Sequence, residues 1–413
     1  MTRRLDITNP QRRALDLVKE VATEKSCRPF LVGGPVRDLL LGRSAFDIDL
    51  TLEEGSSVLA RALAKRVEGR VRSYPQFLTY KVTAAGYPEI DIATARKERY
   101  RSPGSLPAVA PGKLKDDLLR RDFSINAIAM DLLDGSLHDP TEGERDLKAR
   151  VIRVLHDKSF LDDPTRAFRA VRLAGRLGFS LDPHTESLLR EAVQSGALAT
   201  TSRERLWKEL FLAMDEDRAP TILAALDEYG LLQSLLGGRI NREATLALEA
   251  MRNEVVARPD LDRYVLYTGA LLRGSDARPE TLEGSGFSQK RARSVLQIAH
   301  DVPRFQQALA SAQSDRQRFR LFKSASPELL MVVAADKPGE IANVARFEEF
   351  RRFKLPLRGN DLEVPVGPHV ARALERTREA VFTGEIAPEQ ARTFAREMAI
   401  KYLGREQQPA ETK

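Results

Sequence analysis

The sequence predicts a mixed α+β head at its N-terminus, followed by an elongated all-α neck, body and tail. Strand-like and helix-like patterns alternate through the first 150 residues, and strand signals then fade. From Asp163 onward the chain reads as successive amphipathic helices, broken at Gly178, Asp182-Pro183, Gly230, Gly237-Gly238 and Gly284-Ser285-Gly286. At 413 residues the chain is too long for one ordinary core. The expected boundaries are a head over 1–150, a neck over 151–235 and a body and tail over 236–413, with no repeat of fixed period.

In chain order, residues 11–25 predict an amphipathic helix with Ala14, Leu17, Val18 and Val21 on one face. The apolar run Phe30-Leu31-Val32 reads as a strand that meets Gly33-Gly34, and helix follows from Pro35 to Leu41. Phe46 to Thr51 alternates strictly, as a strand does. Val58–Val67 reads as helix, and Tyr80–Thr83 and Glu89–Thr94 as strands. Residues 99–113, with Pro103, Gly104, Pro107, Pro111 and Gly112, read as a flexible loop.

Composition narrows the classes. The chain is 42% hydrophobic and 30% charged, as in soluble globular proteins, and its net charge is +7. That charge suits a polyanionic partner and equally suits a basic, soluble surface. Cys27 is the only cysteine, which excludes an intramolecular disulfide and a cysteine-rich zinc site. The N-terminal residues lead into a charged helical pattern, and no stretch has the roughly 18 uninterrupted apolar residues of a membrane span. The expected location is cytoplasmic, without membrane contact.

Chemistry concentrates in three segments. On an alternating strand Asp47 and Asp49 share a face while Phe46, Ile48 and Leu50 point to the core. Two carboxylates on one strand edge suit Mg²⁺, although many Asp-x-Asp pairs merely face solvent. Just upstream, Gly33-Gly34-Pro35-Val36-Arg37-Asp38 forms a strand-to-helix junction. There backbone N–H groups can approach phosphate, and Arg37 can add a charged contact. The bland reading is a tight turn that needs glycine. Downstream, Arg120-Arg121 offers a phosphate or ribose clamp, or else a basic helix end paired with Asp116, Asp117 and Asp122; Asn126 holds a sugar hydroxyl or braces the turn.

Together these segments resemble the class II nucleotidyltransferases, which comprise CCA-adding enzymes and bacterial poly(A) polymerases. That family carries a Gly-Gly-x-Val-Arg-Asp turn, an Asp-x-Asp strand and an Arg-Arg-Asp-Phe-x-x-Asn-Ala segment, all present here in order. The likeness continues through Asp139-Pro140, Gly143, Asp146-Leu147 and Ser202-Arg203-Glu204-Arg205, and returns weakly at Gly359-Asn360-Asp361-Leu362 and Gly367-Pro368. The family's base-selecting segment is matched by Asp162-Asp163-Pro164-Thr165-Arg166, with Arg169 and Arg172 at three-residue steps. Asp162 replaces the usual Glu.

The resemblance implies a polymerase-beta-like nucleotidyltransferase head in which Asp47 and Asp49 hold Mg²⁺. Gly34, Arg37 and Arg121 would bind the triphosphate and ribose of ATP or CTP. A helix from Asp163 to Arg172 would read the base. Cytosine and adenine each present an amino donor beside a ring-nitrogen acceptor, which an Asp acceptor and an Arg donor match and uracil and guanine do not. The partner would be the 3′ end and acceptor arm of tRNA, held by later helices through phosphates and shape. Complete CCA addition, CC or A addition, and poly(A) synthesis share these motifs; a noncatalytic RNA-binding protein on the same scaffold has no use for paired metal carboxylates. The length of the loop at 95–118 leans toward complete CCA addition. Asp91 sits where related polymerases carry a third carboxylate. The histidines, His300-Asp301 included, form no phosphohydrolase array, and Trp207 is expected in the core.

Overall fold

Alternation builds the centre of the head. Ile48, Leu50 and Leu52 are buried on one face of a strand whose other face carries Asp49. The computed structural model describes residues 8–43, 47–237, 240, 241, 247–251, 258, 260–336 and 338–406. Phe46 lies outside these described residues. They divide into two compact units. The first runs to Gly237 and takes in Thr281–Gly286 as well; the second comprises the remainder.

In the first unit the strands are β1 Phe30–Val32, β2 Ile48–Leu52, β3 Arg70–Tyr74, β4 Thr79–Thr83, β5 Ile90–Thr94, β6 Arg96–Arg99, β7 Ala108–Pro111, β8 Ala129–Asp131 and β9 Leu137–His138. Seven of them form one mixed sheet in the order β3-β4-β5-β2-β1-β8-β9. β2 runs parallel to β5 and antiparallel to β1. Helices α1 (Asn9–Glu24), α2 (Gly34–Leu40), α3 (Ser56–Arg66) and α4 (Leu114–Leu119) belong to this head. Leu59 and Leu63 of α3 are fully buried, and α3 packs on β4 and β5, where Val82, Ile90 and Ile92 supply the apolar side. Each such buried leucine or isoleucine contributes about 1.5–3 kcal/mol.

β6 and β7 pair as a separate antiparallel hairpin, which corrects the reading of 99–113 as a flexible loop. The prolines misled because Pro111 ends a two-stranded ribbon, where the missing N–H costs no ladder bond. Between the two strands Gly104 adopts φ +69°. Its N–H donates to the carbonyls of Leu161 and Asp162, each at 3.2 Å, and a Cβ there would lie 2.4 Å from the Thr200 carbonyl oxygen.

Past the head, α5 (Thr165–Leu177) buries Ala167, Phe168, Ala170 and Val171 and ends at Gly178 in the left-handed region. It packs on α6 (Arg203–Met214) and α7 (Ala219–Glu228). Trp207 is buried in α6, its Nε1 donating to the Glu283 carbonyl at 3.0 Å. Arg203 donates to the carbonyls of Thr281 and Glu283, which ties the 281–286 segment to the first unit.

The described residues of the second unit are helical. Phe319, Phe322, Phe347, Phe350 and Phe382 form an aromatic core, with Phe319 and Phe350 stacked at 5.1 Å and the Arg378 guanidinium 4.2 Å from the Phe350 ring centre. Among the described residues no helix is long and apolar enough to cross a membrane.

Candidate active site

A carboxylate edge and a glycine turn meet beside β1 and β2. Asp49 lies opposite Asp91 in the β2–β5 register, with Asp47 just before β2. Burial pushes the Asp49 carboxyl up to about 6, reinforced by the neighbouring charges of Asp91 and Asp47 and partly offset by Arg121 and Lys81. Asp91 Oδ2 pairs with Lys81 Nζ at 3.2 Å, while its buried Oδ1 has no hydrogen-bond partner. Crowded carboxylates with an unpartnered buried oxygen fit a divalent cation. No group of three His, Cys, Asp or Glu side chains with the spacing of a metal cage occurs among the described residues. A site that relies on one or two carboxylates plus substrate phosphates is the usual arrangement for Mg²⁺.

The glycine turn is shaped around an arginine. Gly33 adopts φ +76°, and a Cβ there would stand 2.5 Å from Arg121 Nη1, so only glycine lets Arg121 lie across the turn. Arg121 Nη2 donates to Asp117 at 3.1 Å, and its buried Nε has no partner. Asp117, fully buried, also receives Arg120. Burial raises the Asp117 carboxyl, but the two guanidinium groups overcome it and hold the group below the ordinary range. Of the three acids expected to pair with Arg120-Arg121, only Asp117 does so; Asp116 turns to Lys97 and Asp122 to Arg169, and Arg121 still presents charge to the turn.

Arg37 is tied to its neighbours. Its Nε and Nη2 donate to Asp38 at 2.9 Å each and Nη1 to Asn126 Oδ1 at 2.7 Å, with the side chain 5% exposed. It braces the turn with three of its five N–H donors and still lines the cavity. Asn126 in turn donates to Asp122, and Asp122 accepts two bonds from Arg169, at 2.6 and 3.0 Å. Burial raises the Asp122 carboxyl, but Arg169 chiefly, with Asn126 and Arg166, holds it far below its ordinary value.

Asp163 precedes α5 instead of lying on it, because Pro164 caps α5 and restricts the residue before it to an extended conformation. Its Oδ1 accepts bonds from the Thr165 N–H, the Thr165 hydroxyl and Arg205, at 3.1, 2.6 and 2.8 Å, while Oδ2 accepts none among the described residues. Arg166 is held by Ser159 Oγ at 2.8 Å and the Arg120 carbonyl at 2.9 Å. Arg172 turns away to Glu216 at 2.9 Å. Three-residue steps fall short of a 3.6-residue turn, so the stripe winds off the site by its third arginine. Asp162 contributes only its carbonyl, to Gly104.

One cavity of about 600 Å³ brings together Gly34, Arg37, Asp47, Asp49, Arg121, Asp163, Arg166 and Arg169; Arg172 is not in its wall. Residues not singled out as site residues in the sequence also line it, notably Arg96, Glu98 and Tyr100. Glu98 pairs with both Arg96 and Arg120, a link that crosses from the hairpin to α4 and leaves no local sequence signal. Arg205, named above only within the Ser202-Arg203-Glu204-Arg205 segment, ties Asp163 to the Gly104 carbonyl at 3.0 Å.

The chain is similar to known proteins over its head and beyond it. Residues 29–153 match the family described as poly A polymerase head domain, and 178–238 match a probable RNA and SrmB-binding site of polymerase A. An A-adding tRNA nucleotidyltransferase of Aquifex aeolicus (strain VF5) is 36% identical over 345 residues, covering 80% of this chain and 41% of that protein. A CC-adding tRNA nucleotidyltransferase of Deinococcus radiodurans is 42% identical over 205 residues, covering 48% of this chain and 53% of the relative. The chain thus spans about half or less of the length of these curated relatives. A solved tRNA nucleotidyltransferase, complexed with a primer tRNA and an incoming ATP analog, superposes with a TM-score of 0.69 at 34% identity, over 82% of this chain and all of that one.

Proposed function

Because the chain belongs to the class II nucleotidyltransferases, the family of tRNA nucleotidyltransferases and poly(A) polymerases, we propose that it adds C and A nucleotides from CTP and ATP to the 3′ end of tRNA. The observation that carries this reading is the convergence of Asp47 and Asp49, Arg121 on its glycine turn, and Asp163 with Arg166 in one cavity. Its chemistry is transfer of a nucleotidyl group: the RNA 3′-hydroxyl gives up its proton to solvent as its oxygen bonds to the α-phosphorus, the bond from the α-phosphorus to the oxygen bridging it to the β-phosphate breaks, and pyrophosphate leaves.

Asp47 and Asp49 would hold Mg²⁺, which supplies activation of the hydroxyl and neutralisation of the leaving group. Arg121 and the backbone of Gly34 hold the triphosphate tail, and Arg37 keeps the turn rigid. The unused Oδ2 of Asp163 accepts from the amino group of C or A, and Arg166 donates to the adjacent ring nitrogen. Arg169 is a positioning residue that locks Asp122 and Asn126. Arg172 steadies α5 through Glu216 and does not touch the nucleotide.

Trimmed tRNA incubated with Mg²⁺ and each labelled nucleotide in turn tests the proposal. Incorporation from CTP or ATP with release of pyrophosphate is the expected result, with little from UTP or GTP. Incorporation of none of the four would end this reading. A long A tail on unrelated RNA would favour the poly(A) alternative. Whether the chain adds all of CCA or part of it follows from which tRNA ends accept C and which accept A.

A further inference from the structure

Beyond the carboxylates the head sheet carries side chains that the chemistry above leaves unused. Register places Asp49 beside Asp91, Asp91 beside Lys81, and Lys81 beside Arg72. Strands β2, β5, β4 and β3 therefore present these four residues as one row on one face, at a spacing of about 4.8 Å per strand. The opposite face is the apolar one of Ile48, Ile90 and Val82, covered by α3. Lys81 pairs with Asp91 and Glu89. Arg72 is exposed, has no carboxylate partner among the described residues, and lies 5.3 Å from the ring centre of Tyr74, two positions along on the same face. β3 is the edge of the sheet, so nothing within the sheet lies beyond this pair.

The chemistry gives the row a direction. The glycine turn follows β1 on one side of β2, whereas β5, β4 and β3 lie on the other. With the leaving pyrophosphate held at the turn by Arg121, in-line displacement requires the attacking hydroxyl on the opposite side of the α-phosphate. That is the side of β5, and the strand bearing the hydroxyl then runs outward over β4 and β3. We infer that Lys81, Arg72 and Tyr74 form a subsite for the single-stranded 3′ end of the acceptor RNA, in which the two cations meet its phosphates and the tyrosine ring stacks an unpaired base. The inference rests on the nucleotidyl-transfer reading of the cavity.

Steady-state addition of one nucleotide by the full chain tests it, with trimmed tRNA and nucleotide varied separately. Arg72→Glu, and the double variant Arg72→Ala/Tyr74→Ala, should raise the KM for tRNA about tenfold, leaving kcat and the KM for nucleotide unchanged. Arg72→Lys should stay close to wild type. Arg61→Glu, on α3 behind the opposite face, should change nothing. The salt dependence of tRNA binding should lose about one unit of log–log slope in Arg72→Ala. An Arg72→Glu enzyme with a wild-type KM for tRNA, or one whose nucleotide KM rises equally, overturns the subsite and leaves the nucleotidyl-transfer reading intact. A wild-type chain that adds no nucleotide removes that reading, and the subsite with it.

Discussion

Asp49 is where stability and function pull apart. Its carboxyl ordinarily titrates at 3.8 and in the fold at about 6, so the folded chain binds that proton more tightly than the unfolded one. The penalty for charging it is absent below about pH 4, grows as pH rises, and is complete above about pH 6, with a ceiling of about 3 kcal/mol. Asp49→Asn should therefore raise the melting temperature of the metal-free chain at pH 7.5, with the gain shrinking as pH falls through 6 toward 4. Thermal unfolding across that range checks this, and a lower melting temperature at pH 7.5 would contradict it. At Asp163 the expected effect is on choice. Asp163→Ala should lower incorporation of C and A and relax discrimination against U and G by about ten- to a hundredfold, from the loss of one hydrogen-bonding partner worth about 1–3 kcal/mol. Unaltered nucleotide preference in single-addition assays would remove Asp163 from base reading. The residue types and order of Asp47, Asp49, Arg121, Asp163 and Arg166 were legible in the sequence, because alternation and motif spacing fix them. Bracing of the turn by Asn126 was one of two readings open in the sequence, and the contact with Arg37, 89 positions away, selects it.

At the scale of elements, the turn after β1 is the most exacting. Gly33→Ala places a Cβ in the left-handed region and against Arg121, so Arg121 must move. The expected result is a loss of about 1–2 kcal/mol of stability and a higher KM for nucleotide, with the KM for tRNA little changed. Denaturant unfolding and nucleotide-varied kinetics measure the two effects. The helices α1 and α3 and the strands β1, β2, β4 and β5 follow patterns that the sequence displays, because each buries one clean face. β3 was missed because it is a polar edge, Arg70-Val71-Arg72-Ser73-Tyr74, mostly open to solvent. β8 was missed for the opposite reason: Ala129-Met130-Asp131 is buried throughout and too short to show a period. The β6–β7 hairpin defeats a composition rule, since its stability comes from pairing and from the docking of Gly104, both non-local.

For the whole molecule, the proposed function together with the net charge of +7 predicts backbone-dominated tRNA binding. Affinity should fall by orders of magnitude between about 50 and 200 mM salt, with little dependence on the sequence of the tRNA body. A salt-independent affinity would contradict that. The return of Thr281–Gly286 to the first unit was not legible in the sequence, because it rests on Arg203 and Trp207 reaching carbonyls 76 to 80 positions away. A chain cut near residue 235 would strip those partners from Trp207 and Arg203, so the role of the later helices is better tested in the full chain. The central claim is that the cavity around the paired carboxylates is the active site. Its most direct test is nucleotide addition to trimmed tRNA in Mg²⁺ by full-length Asp47→Ala and Asp49→Ala, alongside wild type. The account predicts that both variants fold and bind tRNA yet add no measurable C or A; near-normal incorporation by either one would contradict it.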